Sequence, residues 1–164
     1  VKPRNRQKHK GRRESGTFTL IPHPVQDSSN WHACSGNAIK LICELARQYN
    51  GRNNGDLCAA LSMLKRRGWT RGETIMHAAR ELINYGLIEL TRQGGLHKPN
   101  LYAITWQPID ECNGKLEVPA TNVAPGTWRE LRPVFKRPSK KTPCRKTMAA
   151  MPESGITSKE EALA

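Results

Sequence analysis

With 164 residues, 37% of them hydrophobic and only 5% aromatic, the chain has room for one core and little material for a second. No apolar run approaches the roughly 18 residues of a membrane span, and the polar, basic start lacks the apolar stretch of a signal peptide, so a soluble, unexported protein is expected. The formal net charge of +13 sits at the ends: residues 1–16 carry seven Lys/Arg against one Glu and residues 129–148 eight against one, while residues 17–128 are close to neutral.

In chain order, residues 1–16 (VKPRNRQKHKGRRESG) have no apolar periodicity and read as a disordered basic arm. Thr17 to Ile21 alternates Phe18 and Leu20 with threonines before Pro22, which predicts an extended lead-in or edge strand. Asp27, Ser28 and Ser29 start a short helical turn ahead of Trp31. Ser35 then caps a helix in which Ala38, Leu41, Ile42, Leu45 and Tyr49 share a face, with Lys40, Glu44, Arg47 and Gln48 opposite. Asn50-Gly51 supplies its left-handed stop.

Leu57, Leu61 and Leu64, spaced i, i+4, i+7, predict a second short helix from Cys58 to Arg67, closed by Gly68. The stretch Thr70-Arg71-Gly72-Glu73 reads as a capping box opening a third helix. Ile75, Ala78, Ala79, Leu82 and Ile83 form its buried stripe and Gly86 ends it. Leu87–Arg92 and Asn100–Trp106 read as strands joined through Gln93–Pro99, a glycine-containing hairpin turn. Residues 113–135 are expected to run extended and to dock through Trp128, Leu131 and Phe135. Residues 136–164 read as a disordered tail, basic and then acidic.

Helix, short helix, capped helix and hairpin over residues 17–112 predict a mainly α fold with a small β-hairpin, a winged helix-turn-helix flanked by disordered basic arms. The stretches RQYNGRNNGDL, LKRRGWTRGETIMHAARELINYGLIELTRQGG and LYAITWQPIDE resemble a group of winged helix-turn-helix proteins of bacterial phages and mobile elements. The resemblance implies that fold and DNA binding in a bacterial cytoplasm, and it names no regulatory target.

The candidate contacts follow from this layout. Arg71, Thr74, His77 and Arg80 lie opposite the core stripe of the third helix, where an arginine fork can meet guanine O6 and N7 or a phosphate. Arg92, Gln93, His97 and Lys98 surround the hairpin tip. Arg52, Lys65, Arg66 and Arg67 are expected to hold phosphates, although cations at a helix C-terminus also suit the helix dipole. If about eight phosphates are neutralised, log affinity falls with log salt at a slope of about −7.

Trp31, Trp69 and Trp106 each sit beside an apolar stripe or turn, which favours packing over base stacking. Five cysteines (Cys34, Cys43, Cys58, Cys112, Cys144) without a C-x-x-C pair read as reduced thiols. His23, His32 and Cys34 are close in sequence but match no paired-ligand spacing, so neither a metal nor a cofactor is expected. The chain lacks a P-loop, a nucleophile elbow and a zincin motif, and its carboxylates are scattered, so it is not expected to be an enzyme. The leading reading is a double-stranded DNA binder acting in transcription, replication or partition of a phage or mobile element. The alternatives are a protein-interaction module, such as an inhibitor of a host defence complex, and RNA binding through the arginine-rich arms.

Overall fold

The computed structural model describes residues 17–137. The two basic segments read as disordered, residues 1–16 and almost all of 136–164, lie outside those residues. Among the described residues no helix is long and apolar enough to cross a membrane.

Two one-turn helices, α1 (His23–Gln26) and α2 (Ser29–His32), lead into α3 (Gly36–Gln48). The Ser28 and Ser35 hydroxyls accept from Trp31 N and Ala38 N, so each serine satisfies a helix-start donor that would otherwise be orphaned. The chain then passes through β1 (Leu57–Cys58), α4 (Leu61–Leu64) and a 3-10 turn at Lys65–Arg67. Gly68 closes that turn at φ 81°, a left-handed conformation that L side chains resist. The long helix α5 (Gly72–Asn84) and the strands β2 (Ile88–Arg92) and β3 (Leu101–Ile104) complete the frame.

The expectation of a mainly α, winged helix-turn-helix molecule with a lone hairpin is corrected by the sheet. Three antiparallel strands run in the order β1-β3-β2, with β3 in the centre and buried at every position. The fold is α+β. Cys58, expected to open the second helix, instead pairs with Leu101, and Leu57, the first of the leucines whose spacing suggested that helix, pairs with Tyr102. The i, i+4, i+7 leucines are therefore split between a strand and a single helical turn. Backbone pairing to β3 outweighs the local helical spacing.

Two smaller expectations also change. Residues 17–21 form no strand, and Phe18 and Leu20 are exposed. The capping box is not made: α5 begins at Gly72 behind Arg71, with no side-chain cap bond.

The core joins α3 and α5 to the sheet through Leu41, Ile42, Leu45, Leu82, Leu87 and Ile104, each at most 1% exposed. Trp69, Trp106 and Trp128 are buried in the same cluster, and Trp31 packs on its edge. Glu81 ties the two long helices together: Ser35 N–H donates to Oε1 at 2.6 Å and Ser35 Oγ to Oε2 at 2.7 Å. The buried carboxylate thus faces the positive end of α3. Glu81→Ala is expected to cost about 2 kcal/mol, read as a lower urea midpoint at unchanged slope.

Each sheet edge is covered at defined positions. The Gln48 amide donates to Cys58 O and accepts from Cys58 N–H, both at 2.9 Å, in place of a fourth strand beside β1. On the other edge, Glu117 N–H donates to Thr91 O at 2.8 Å and its carboxylate accepts from Gln93 N–H at 3.0 Å. Thr91 lies at a β-bulge between Leu90 and Arg92.

Candidate nucleic-acid interface

Of the cations expected to hold phosphates, Lys65, Arg66 and Arg67 form the 3-10 turn after α4, while Arg52 lies apart before β1. Lys65 and Arg66 are exposed, and Arg71 follows at the exposed N-cap of α5. Arg67 is different, because its guanidinium pairs with the buried carboxylate of Glu44 on α3. That pair anchors the turn and takes Arg67 out of the free cation set. Lys40, which the sequence reading did not single out, joins this face: its Nζ lies 5.0 Å from the centroid of the Trp69 ring. Trp69 is itself buried, so it supports the lysine and offers no open ring to a base.

Along α5 the expected contacts separate. Arg80 is exposed. Thr74 and His77 are half-buried, and His77 Nε2 lies 3.6 Å from Glu73 across one helical turn. The exposed face around Arg80 also carries Met76 and Ile83, 53% and 39% exposed, so it is mixed apolar and basic. Ile83 was expected in the core stripe. Its place there is left to Ala79 and Leu82, which already fill the space against the sheet.

The hairpin tip stands out from the sheet. Gly95 and Lys98 form an isolated bridge, and His97 adopts φ 61° at the turn. Gln93, His97 and Lys98 are exposed. Arg92 is half-buried and its Nη2 donates to Pro99 O at 3.4 Å, which turns it back onto its own hairpin. The Asn100 carboxamide holds the base of the tip, accepting from Gly94 N–H at 2.6 Å and donating to the Tyr102 hydroxyl at 3.2 Å. Burial pushes the Tyr102 phenol up, which keeps it a neutral hydroxyl.

A groove of about 440 Å³ runs between the start of α5 and this hairpin, with Leu61, Ile75, Met76 and Tyr102 in its lining and Lys98 at its rim. A second lobe of about 210 Å³ continues it past Arg80 and Ile83. Met76, Gln93, Asn100 and Tyr102 belong to both lobes. The structure therefore brings Arg80, Gln93 and Lys98 to one groove. Thr74, His77 and Arg92 do not line it, and Arg52 stays in the Asn50–Asn53 turn, where its N–H donates to Asn50 Oδ1 at 3.0 Å. The exposed Met76 on an otherwise amphipathic helix was the signal for this groove, and the sequence reading passed over it.

Among the described residues, no group of three His, Cys, Asp or Glu is placed to hold a metal ion. The Cys34 thiol donates to Asn30 O at 3.3 Å, and burial, with Glu81 adding to it, pushes its pKa up to about 12. A thiol held protonated in this way is a poor ligand and a poor nucleophile. No family model, curated protein sequence or solved structure matches the chain.

Proposed function

We propose that this protein acts by binding nucleic acid, double-stranded DNA in particular, and that the face running from Lys65 to Arg71 holds the phosphate backbone. One observation carries the reading. Lys65, Arg66 and Arg71 are exposed, and none has a carboxylate within 4.0 Å among the described residues. Cations left unneutralised on one turn favour a polyanion over a solvated surface network. Arg80 and Lys98 extend the same sign of charge toward the hairpin. The basic segments 1–16 and 129–148 add a sequence-level charge excess of the kind that tracks neighbouring phosphates. Lys65, Arg66 and Arg71 would position the duplex through its phosphates, contacts that carry no sequence information of their own. A duplex binder of this kind would serve in transcription, replication or partition, and the resemblance to phage and mobile-element proteins supports the DNA binding without choosing among them.

The test is binding of the full chain to random duplex DNA across a salt series. For the triple variant Lys65→Ala, Arg66→Ala, Arg71→Ala, the slope of log affinity against log salt is expected to become shallower by about 2.7, since each lost phosphate contact removes about 0.9. A wild-type affinity insensitive to salt, or an unchanged slope in the triple variant, would refute the assignment.

A further inference from the structure

We propose that the groove between α5 and the β2–β3 hairpin is a docking site for an acidic, amphipathic peptide segment of a partner protein. The two lobes share an apolar centre of Met76 and Tyr102, and each lobe has one cation of its own, Lys98 in the larger and Arg80 in the smaller. No Asp or Glu lines either lobe, and neither cation has a carboxylate within 4.0 Å among the described residues. The complementary ligand has an apolar middle flanked by two negative charges. A short peptide with one or two large apolar side chains between Asp or Glu residues has that form.

The chemistry of the floor favours peptide over nucleic acid. The accessible floor is the aliphatic and thioether surface of Leu61 and Met76, while Ile75 and Tyr102 beneath are 3% and 5% exposed, so no ring face is displayed for a base to stack on. A sugar–phosphate chain gains nothing from such a floor, whereas a leucine or phenylalanine side chain is desolvated by it. Methionine is suited to this use because its unbranched, polarisable side chain adapts to the shape laid against it.

The experiment selects 12-residue peptides from a random displayed library on the full, DNA-free chain, then measures the enriched sequence as a free labelled peptide by fluorescence anisotropy. Enriched peptides are expected to carry a large apolar residue or pair flanked by Asp or Glu. Their affinity is expected to fall about tenfold or more in Met76→Glu, which places a carboxylate on the apolar centre. Met76 is exposed on a helix, so this variant keeps the fold, and an unchanged thermal midpoint verifies that. In Lys98→Glu the same peptide weakens, and its analogue with Lys in place of the flanking Asp or Glu recovers. No enrichment, enrichment of basic peptides, or binding indifferent to Met76→Glu overturns the proposal. So does a result in which no peptide is enriched and Met76→Glu instead weakens duplex DNA, which assigns the groove to nucleic acid. Because the selection is made without DNA, its outcome does not depend on the salt-series result above.

Discussion

Asn54→Ala is expected to destabilise the protein by about 4 kcal/mol, the largest effect of any single polar substitution proposed for it. Asn54 is fully buried in the loop before β1. Its Nδ2 donates to Ile104 O at 2.9 Å, Gln107 O at 3.1 Å and Pro108 O at 2.8 Å, and its Oδ1 accepts from Ile104 N–H at 2.8 Å. Its own backbone is held as well: its N–H donates to Asp110 Oδ2 at 2.7 Å and its carbonyl accepts from Asp110 N–H at 2.8 Å. One carboxamide thus fastens the loop between α3 and β1 to the end of the central strand. Alanine removes every side-chain bond and strands the Ile104 N–H and several carbonyls in a dry interior, each at a cost of about 1–3 kcal/mol before relaxation. Asn54→Asp is no rescue, since it removes the donors and sets a carboxylate against the same carbonyls. Urea unfolding followed by tryptophan fluorescence measures the loss, and a change under 1 kcal/mol would contradict the network.

Trp128→Ala is expected to cost about 3–4 kcal/mol and to release residues 126–135 from the domain. Trp128 is buried in the core cluster, with the Arg129 guanidinium 4.5 Å from its ring centroid. The segment is also bonded along its length. Gly126 N–H donates to Thr105 O at 2.8 Å, Thr127 Oγ1 donates to Gly86 O at 2.8 Å, and Asn30 Nδ2 donates to Trp128 O at 2.9 Å. Farther on, Phe135 N–H donates to the Tyr85 hydroxyl at 3.1 Å. Gly86 makes this approach feasible: at φ +67° a Cβ there would stand 2.7 Å from Thr127 O. Losing the indole removes the apolar part of the dock and leaves a void in the core cluster beside α2. Limited trypsinolysis reports it directly, with faster cleavage after Arg129 expected in the variant. Unchanged cleavage and an unchanged urea midpoint would show that the hydrogen bonds hold the segment alone.

The elements visible in the sequence are those defined by neighbours close along the chain. The stripe Ala38, Leu41, Ile42, Leu45 and the Asn50-Gly51 stop announce α3, and Ile75, Ala78, Ala79, Leu82 announce α5. The alternation around Ile88 and Tyr102 announces the hairpin. What was hidden depends on partners far away. Leu57 looks helical until β3, more than 40 residues later, is there to pair with it. Asn54 and Asn30 look like turn residues, because the carbonyls they serve lie 50 to 100 positions downstream. The candidate interface divides in the same way: the charge run from Lys65 to Arg71 is legible as composition. That Glu44 neutralises Arg67, or that Arg92 folds back on Pro99, follows only from tertiary placement.

The carboxamide of Gln48 has a consequence for how this molecule can meet others. An open sheet edge offers unpaired N–H and C=O groups on which another chain can template a strand, the route of fibril growth and of strand exchange between copies. Here one glutamine fills both sites of Cys58, and Glu117 takes the Thr91 carbonyl and the Gln93 N–H on the opposite margin, so these positions are closed to an added strand. At these positions recognition is left to side chains, where it depends on which chemical groups arrive and not on the backbone every polypeptide shares.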